Sequence, residues 1–362
     1  MIPVYKPLIT ENTKRYVNDC LESSWISSKG EYVDKFEKKF AEFTNNKYVT
    51  SVCNGTVAIH LALKAIGITK GDEVIVPTYT YVATVNMIKE VGATPVYVDS
   101  LENTWQINHE EIESKITDKT KAIFVVHIYG HPCQMDKISE ICQKNNLLLI
   151  EDCAEALGSF FKKQHVGSFG DLATYSFFGN KTLTTGEGGM VCCKSEIVYK
   201  KLKKLKNQGI SNIREYYHDE LAYNYRMTNI CAAIGLSQIE IINNILQLKR
   251  DLAEKYREKL RDLPLTFHTE SIDTTHSFWM CSIRVSDEKT RDKLRKYLLD
   301  FKIDTRPGFD SSHTLPHLKS DEIFSVAENL SKTVINLPSW PDLSNKDLDF
   351  IIGKIKTFYN EA

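Results

Sequence analysis

Residues 122–152 read AIFVVHIYGHPCQMDKISEICQKNNLLLIED, in which two apolar runs flank a segment with a helical pattern. Strands that are buried on both faces read as continuous apolar runs, and a helix between them makes a parallel crossover the natural connection. The same alternation extends over residues 45–195, where the runs are Tyr48–Cys53, Glu73–Val76, Pro95–Val98, Ala122–His127, Leu147–Glu151, Ala173–Phe177 and Met190–Cys193. The sequence therefore predicts an α/β domain with a mostly parallel central sheet.

The chain has 362 residues, and at ~150 residues per domain this length predicts two domains. The pattern is helical from Ile230 to about residue 262, and short strands and helices follow as far as Tyr359. We place the boundary near residue 245. The expected division is a large domain of residues 1–245 and a smaller α+β domain of residues 246–362.

Charge and cysteine content exclude several classes of protein. Lys plus Arg number 46 against 47 for Asp plus Glu, so no global field attracts nucleic acid or an anionic membrane. The nine cysteines lack CxxC spacing and are odd in number, which indicates neither a metal site nor a disulfide framework. No segment approaches the ~20 apolar residues of a membrane span. We expect a soluble protein of the reducing cytoplasm.

Residues 176–189, SFFGNKTLTTGEGG, place Lys181 after a predicted strand and ahead of a glycine-rich turn. A nucleophilic lysine needs surroundings that lower its pKa, and nearby hydroxyls and backbone N–H groups can bind an anion such as a phosphate. Considered alone, a lysine in a loop is more often an ordinary surface residue.

Asp152 ends the apolar strand that precedes this segment. A carboxylate there is costly unless a cation or strong donor faces it, and a protonated pyridine nitrogen is such a partner. An Asp and a Schiff-base Lys are the pair that pyridoxal-phosphate (PLP) chemistry requires. The alternative is that Asp152 caps a following helix.

Two further segments complete a predicted cofactor pocket. Asn54-Gly55-Thr56 opens a helical pattern, Thr56–Ile66, whose N-terminus could hold a phosphate, although a lone glycine turn is a weak signal. Tyr81 follows a strand and could stack on a flat ring, with an ordinary core tyrosine as the alternative.

Together these motifs resemble the DegT/DnrJ/StrS family of sugar aminotransferases, which are PLP enzymes of fold type I, like aspartate aminotransferase. The resemblance covers nearly the whole chain. Besides the segments quoted above, it rests on Trp25–Gly30, Val126–Pro132, Tyr223–Asn229 and Ile335–Ser339.

The resemblance implies a role for each cofactor residue. Lys181 would hold PLP as a Schiff base, Asp152 would bind the pyridine nitrogen, Tyr81 would cover one ring face, and Glu155 would lie beside the ring. The phosphate would be held by Gly55, Thr56 and Ser176. Asn224 would reach the phosphate from the other subunit of a homodimer. The residues implied near the substrate are Trp25, Ser27, Arg226 and His313.

The implied reaction is a ping-pong transamination from L-glutamate to C4 of a nucleotide-linked 4-keto-6-deoxyhexose, with Lys181 as the general acid and base. The loop Gly308–Ser311 departs from relatives that act on GDP-linked sugars, which usually carry a bulky residue followed by Phe-Tyr-Pro. A UDP- or dTDP-linked substrate, giving viosamine in place of perosamine, therefore stays open. So do a PLP-dependent 3-dehydratase, which Lys181 argues against, and a regulatory protein that retains the pocket without turnover.

Overall fold

A computed structural model describes residues 1–211 and 213–361, and of residue 361 it describes the backbone only. The α-helices of this part of the chain are α1 (Glu11–Glu22), α2 (Glu31–Thr44), α3 (Gly55–Ala65), α4 (Ala83–Glu90), α5 (Met135–Asn145), α6 (Glu196–Leu205), α7 (Asn229–Ile239), α8 (Ile242–Leu260), α9 (Glu288–Asp300), α10 (Ser325–Thr333) and α11 (Asn345–Glu361).

The β-strands are β1 (Tyr48–Val52), β2 (Glu73–Pro77), β3 (Thr94–Val98), β4 (Thr120–Val126), β5 (Leu148–Asp152), β6 (Phe160–Phe161), β7 (Gln164–His165), β8 (Leu172–Ser176), β9 (Gly189–Cys193), β10 (Thr266–Phe267), β11 (Thr274–Thr275), β12 (Cys281–Arg284), β13 (Arg306–Pro307) and β14 (Val334–Leu337). Seven of them match the predicted apolar runs to within two residues.

The central sheet has seven strands in the order β1-β9-β8-β5-β4-β2-β3. Strand β9 pairs antiparallel with β1 and β8, and the other pairs are parallel. Asp152 ends β5 in register with Val126 of β4 and Thr174 of β8. The predicted α/β domain with a mostly parallel sheet is confirmed, and the sheet presents Asp152 at its carboxyl edge.

The helical pattern from residue 230 to 262 is two helices, since α7 and α8 bend by 63° at their junction. Among the described residues no single helix is long and apolar enough to cross a membrane. The bent pair of α7 and α8 together has the length and apolar composition of a span, and nothing else in this part of the chain indicates one.

A four-stranded antiparallel sheet, β10-β12-β14-β13, forms with helices α8, α9 and α11 a second hydrophobic core that extends from Leu252 to Tyr359. The N-terminus joins this part of the molecule, because Ile2 pairs with Ile303 and Val4 O accepts from the backbone N–H of Ser339 at 3.0 Å. The boundary near residue 245 stays a prediction; it lies inside α8, whose first residues, Ile242, Ile245 and Leu246, pack in the core of the large domain.

Candidate active site

A cavity of about 790 Å³ opens at the carboxyl ends of β1, β5 and β8. Parallel strands end at the same edge of a sheet, so segments far apart in sequence meet there. The structure brings together in its lining seven of the residues proposed from the sequence, which are Gly55, Thr56, Tyr81, Asp152, Glu155, Ser176 and Lys181.

The Asp152 carboxylate is buried and held by two donors. Its Oδ2 accepts from the Thr84 hydroxyl at 2.6 Å, and its Oδ1 accepts from the backbone N–H of Ala154 at 3.0 Å. Residues 154–158 form turns, so Asp152 does not cap a helix. The two bonds fix the position of this carboxyl group on the cavity wall.

Lys181 lies in the turn after β8, where its backbone N–H donates to Phe178 O at 2.9 Å and its carbonyl accepts from the Tyr5 hydroxyl at 2.8 Å. Its side chain is mostly buried, with Nζ 3.9 Å from the centre of the Trp279 ring. Burial lowers the Lys181 pKa, and the charges of Glu155 and Asp152 oppose that shift. Lys181 is therefore not an ordinary surface lysine.

Glu155 is a buried carboxyl group beside that amine. Its Oε1 lies 3.9 Å from Lys181 Nζ, and its Oε2 accepts from the backbone N–H of Tyr129 at 2.6 Å. Burial raises the pKa of Glu155 to about 7, although the charge of Lys181 acts in the opposite direction. The cavity thus contains a carboxyl group that titrates near neutral pH.

The start of α3 forms a narrow cradle with the end of β8. Asn54 caps the helix by accepting from the backbone N–H of Val57 at 3.0 Å. A Cβ added at Gly55 would lie 2.6 Å from Ser176 Cβ, so the close approach needs glycine. Free N–H groups at a helix N-terminus and a nearby hydroxyl are suited to an anion.

Tyr81 is 56% exposed and faces the cavity, so it is not a core tyrosine. Its ring lies 5.7 Å from that of Phe309, which stacks on Tyr129 at 5.4 Å. The loop comes this close because residue 308 is glycine: a Cβ there would lie 2.6 Å from the Tyr79 hydroxyl. Gly308, where the loop departs from the relatives, therefore allows Phe309 and Tyr81 to form an aromatic wall of the cavity.

Five residues proposed near the phosphate or the substrate lie outside this lining, namely Trp25, Ser27, Asn224, Arg226 and His313. Arg226 Nε donates to Asn224 Oδ1 at 2.8 Å, and its Nη1 donates to Asn207 Oδ1 at 3.1 Å. Trp25 and Ser27 are exposed at the surface. One chain alone does not bring these four side chains to the cavity.

His313 is neither at the cavity nor an ordinary loop histidine, because it is buried between Tyr97 and Phe324. Its Nδ1 is 2.7 Å from the Thr78 hydroxyl, and its Nε2 is 3.4 Å from Glu328. Both ring nitrogens have partners inside the fold. The structure therefore gives His313 a packing role and does not bring it to the substrate side.

Known proteins resemble this chain over nearly its full length. The model of the DegT/DnrJ/EryC1/StrS aminotransferase family matches residues 7–356. The chain belongs to this family. It is 52% identical over 361 residues to GDP-perosamine synthase of Escherichia coli O157:H7, covering 99% of both chains. It is 49% identical over 365 residues to GDP-perosamine synthase of Vibrio cholerae, covering 99% of this chain and 100% of the relative.

Solved structures agree with this assignment. The aminotransferase TlmJ of Streptoalloteichus hindustanus superimposes with a TM-score of 0.95 at 26% identity, covering 100% of this chain and 99% of TlmJ. The PLP form of the sugar aminotransferase Spr1654 of Streptococcus pneumoniae has a TM-score of 0.94 at 28% identity, covering 99% of each chain. The predicted family, fold type I architecture and aminotransferase class are confirmed.

Several residues in or behind the cavity wall of this aminotransferase were missed from the sequence. Thr84 could have been found, because it lies three residues after Tyr81 and its hydroxyl meets the predicted Asp152. Arg306 lines the cavity two residues before Gly308, just ahead of the loop that departs from the relatives. Trp279 has no local signal, because only folding of the second sheet onto the first brings it to Lys181.

The aminotransferase also contains a buried group of His127, Glu151 and Cys153 with atoms close enough to hold a metal ion. The ring nitrogens of His127 and the carboxylate oxygens of Glu151, which would bind the metal, already take part in hydrogen bonds. His127 Nε2 lies 3.0 Å from Glu151, and His127 Nδ1 accepts from the backbone N–H of Cys133 at 3.0 Å. Glu151 also accepts from three backbone N–H groups, those of residues 167, 169 and 170. The group is accounted for as a structural network.

Proposed function

We propose that this aminotransferase moves the amino group of L-glutamate to C4 of a GDP-linked 4-keto-6-deoxyhexose, giving GDP-perosamine. The observation that carries the proposal is the identity of about half of all residues, over nearly the full length, to two GDP-perosamine synthases. The cavity supports the proposal, because the Asp152 carboxylate, the Lys181 amine and the anion cradle at Gly55 and Ser176 all line it.

The cofactor of this aminotransferase is PLP, and the residues present fit it. Asp152 offers a buried carboxylate that would bind the pyridine nitrogen, and Lys181 offers the amine that would hold the cofactor. Gly55, Thr56 and Ser176 would bind the phosphate, and the exposed ring of Tyr81 would cover one face. PLP supplies an electron sink through which an amino group can leave one carbon and join another.

Lys181 would move the proton of the reaction. A lowered pKa increases the neutral fraction of the amine relative to an ordinary lysine, so Nζ can accept a proton from the α-carbon of glutamate and later deliver one to C4 of the sugar. Glu155 would tune this amine, because its charge opposes the effect of burial on the Lys181 pKa. Trp279 would limit the access of water to Nζ by covering it.

The active enzyme would be a homodimer in the cytoplasm. Asn224 lies off the cavity of its own chain, which is consistent with a role in the cavity of a second copy. The segment that precedes it in sequence exposes large apolar side chains, those of Ile213, Tyr216 and Leu221, which a partner subunit would cover. The nine free thiols fit a reducing compartment. Trp25, Ser27 and Arg226 remain proposed substrate residues in that dimer.

The test is to supply L-glutamate with the GDP-, UDP- and dTDP-linked 4-keto-6-deoxyhexoses and compare kcat/KM, because discrimination is a ratio of these values. We expect GDP-perosamine as the product, with the GDP-linked sugar preferred by at least about tenfold, the value of one good polar contact. A preference for a UDP- or dTDP-linked sugar would contradict the assignment of the nucleotide. A deoxy sugar as product would contradict transamination.

A further inference from the structure

The cavity lining contains more acidic than basic residues. Four lining residues are acidic, namely Asp152, Glu155, Glu187 and Asp310, while the cationic ones are Lys181 and Arg306. Yet both proposed substrates are anions, since glutamate carries two carboxylates and the sugar nucleotide carries a diphosphate. Binding them in an acidic cavity needs a cation placed at the substrate.

Lys181 cannot serve as this cation, because it is the amine that holds the cofactor. Arg306 is the remaining candidate on the lining of one chain. It lies on strand β13, at the edge of the second sheet, where it pairs with Asn336 of β14. Asn336 also lines the cavity, so the backbone of Arg306 is fixed at the cavity wall.

The guanidinium of Arg306 is open towards the cavity in the part of the chain that the structure describes. Within residues 1–211 and 213–361 it makes no ion pair, and no side-chain hydrogen bond of Arg306 occurs there, although the acidic Asp310 stands four residues away on the same wall. The other arginines of this domain differ: Arg284, for example, pairs with Glu102, and Arg291 with Glu288. A guanidinium left open at a cavity is suited to an incoming carboxylate or phosphate, which it binds through two parallel N–H bonds.

The geometry points to Arg306 as a substrate-binding residue that holds an anionic oxygen group, either a carboxylate of the amino donor or the diphosphate of the acceptor. This inference rests on the proposed function, from which the two substrates come. In a ping-pong reaction both substrates use one site in turn, so a single guanidinium can serve either. Arg306 is on the second sheet and Lys181 follows strand β8 of the first, so a bound anion would also link the two domains.

The experiment uses the PLP-loaded enzyme and two probes with different anionic groups. L-Glutamate alone is titrated by the change in cofactor absorbance, and GDP, which has no carboxylate, is titrated by calorimetry. The variants are Arg306→Gln, which removes the charge, and Arg306→Lys, which keeps the charge but not the planar pair of donors. The matched control is Arg261→Gln, an exposed arginine at the end of α8 and away from the cavity.

We expect Arg306→Gln to weaken the binding of at least one probe by about 10- to 100-fold, which is the usual value of a charge-assisted hydrogen bond. Arg306→Lys should lie between this variant and the wild type, and Arg261→Gln should stay within about twofold. A loss for glutamate only assigns the carboxylate, a loss for GDP only assigns the diphosphate, and a loss for both shows a shared site.

Equal binding of both probes by Arg306→Gln and the wild type, with Tm and PLP content unchanged, would overturn the inference. Failure of the proposed function looks different: there the wild-type protein neither changes its absorbance with glutamate nor binds GDP, and the role of Arg306 falls with it. Arg306 is exposed on an edge strand, so its replacement should leave the fold intact.

Discussion

Glu155 Oε1 lies 3.9 Å from Lys181 Nζ, and both side chains are largely withdrawn from water. Above about pH 7 Glu155 is charged and keeps the Lys181 pKa higher than burial alone would. The proton state of the reactive amine therefore depends on its neighbour. Removing this charge should lower the Lys181 pKa further.

We expect Glu155→Gln to capture PLP faster at pH 8, by about 3- to 10-fold, since one pKa unit is a factor of ten in the neutral amine. The difference should shrink below pH 7, where Glu155 is itself protonated. The measurement is the rate of PLP binding to cofactor-free enzyme against pH. Glu155→Asp, which keeps the charge, should follow the wild type more closely. Identical pH profiles for Glu155→Gln and the wild type would exclude the coupling.

Thr84 should support the cofactor through Asp152. Thr84→Val removes the 2.6 Å bond to Oδ2 at constant shape, and we expect PLP affinity to fall about tenfold, as for loss of a hydrogen bond to a charged group. The matched control is Thr50→Val, because the buried Thr50 hydroxyl has no partner among the described residues. A PLP titration of the two variants is the measurement. Equal PLP affinity of the two variants would show that the hydrogen bond from Thr84 to Asp152 does not contribute to cofactor binding.

Gly55 should be irreplaceable at the phosphate cradle. In Gly55→Ala the new Cβ would stand 2.6 Å from Ser176 Cβ, so the start of α3 must move away from β8. We expect PLP affinity to fall by at least about tenfold and Tm to decrease. Gly353→Ala is the control: nothing lies within 4 Å of its added Cβ in α11, and it should be neutral or stabilising by about 0.5–1 kcal/mol. Retained PLP affinity in Gly55→Ala would remove the cradle from the account.

Three buried histidines should make the enzyme sensitive to acid. Burial lowers the pKa of His131 to about 4 and that of His268 to about 3, and it also lowers the pKa of the adjacent His276. The unfolded chain binds these protons at about pH 6.5, so stability is present above that pH and is lost as the pH falls towards 4.

His268→Phe should make this loss shallower by about 1.4 kcal/mol per pH unit between pH 6 and 5, because one fewer proton is taken up on unfolding. The measurement is the free energy of unfolding in urea at pH 7.5, 6 and 5 for the variant and the wild type. His268 stacks on Trp105 at 4.3 Å, so Phe preserves the contact between rings. Parallel pH curves would contradict the neutral state of His268.

Much of the fold could be predicted because the signals are local. Each strand of the central sheet is a short apolar run, and Asp152 was predicted at the carboxyl end of one of them. Ser176 was assigned to the phosphate only through the family resemblance. Lys181 stood out through its glycine-rich surroundings. The structure excludes a helix cap at Asp152 and a core position for Tyr81, through the turn after β5 and the exposure of the Tyr81 ring.

What could not be predicted depends on contacts that are far apart in sequence. Trp279 and Arg306 reach the cavity only because the second sheet folds against the first, and no periodicity encodes that packing. The family resemblance implied a position near the substrate for His313. The neighbouring Thr78, Glu328 and Phe324, which hold it inside the fold, come from separate segments.

The central claim is that Lys181 is the amine that holds PLP opposite the carboxylate of Asp152. The most direct test is to reduce the PLP-loaded enzyme with borohydride, digest it and locate the pyridoxyl label by mass spectrometry. We predict that the label lies on Lys181, and that Lys181→Ala is unlabelled and lacks the absorbance band of the bound cofactor. A label on another lysine, or none in the wild-type protein with PLP in excess, would contradict the account.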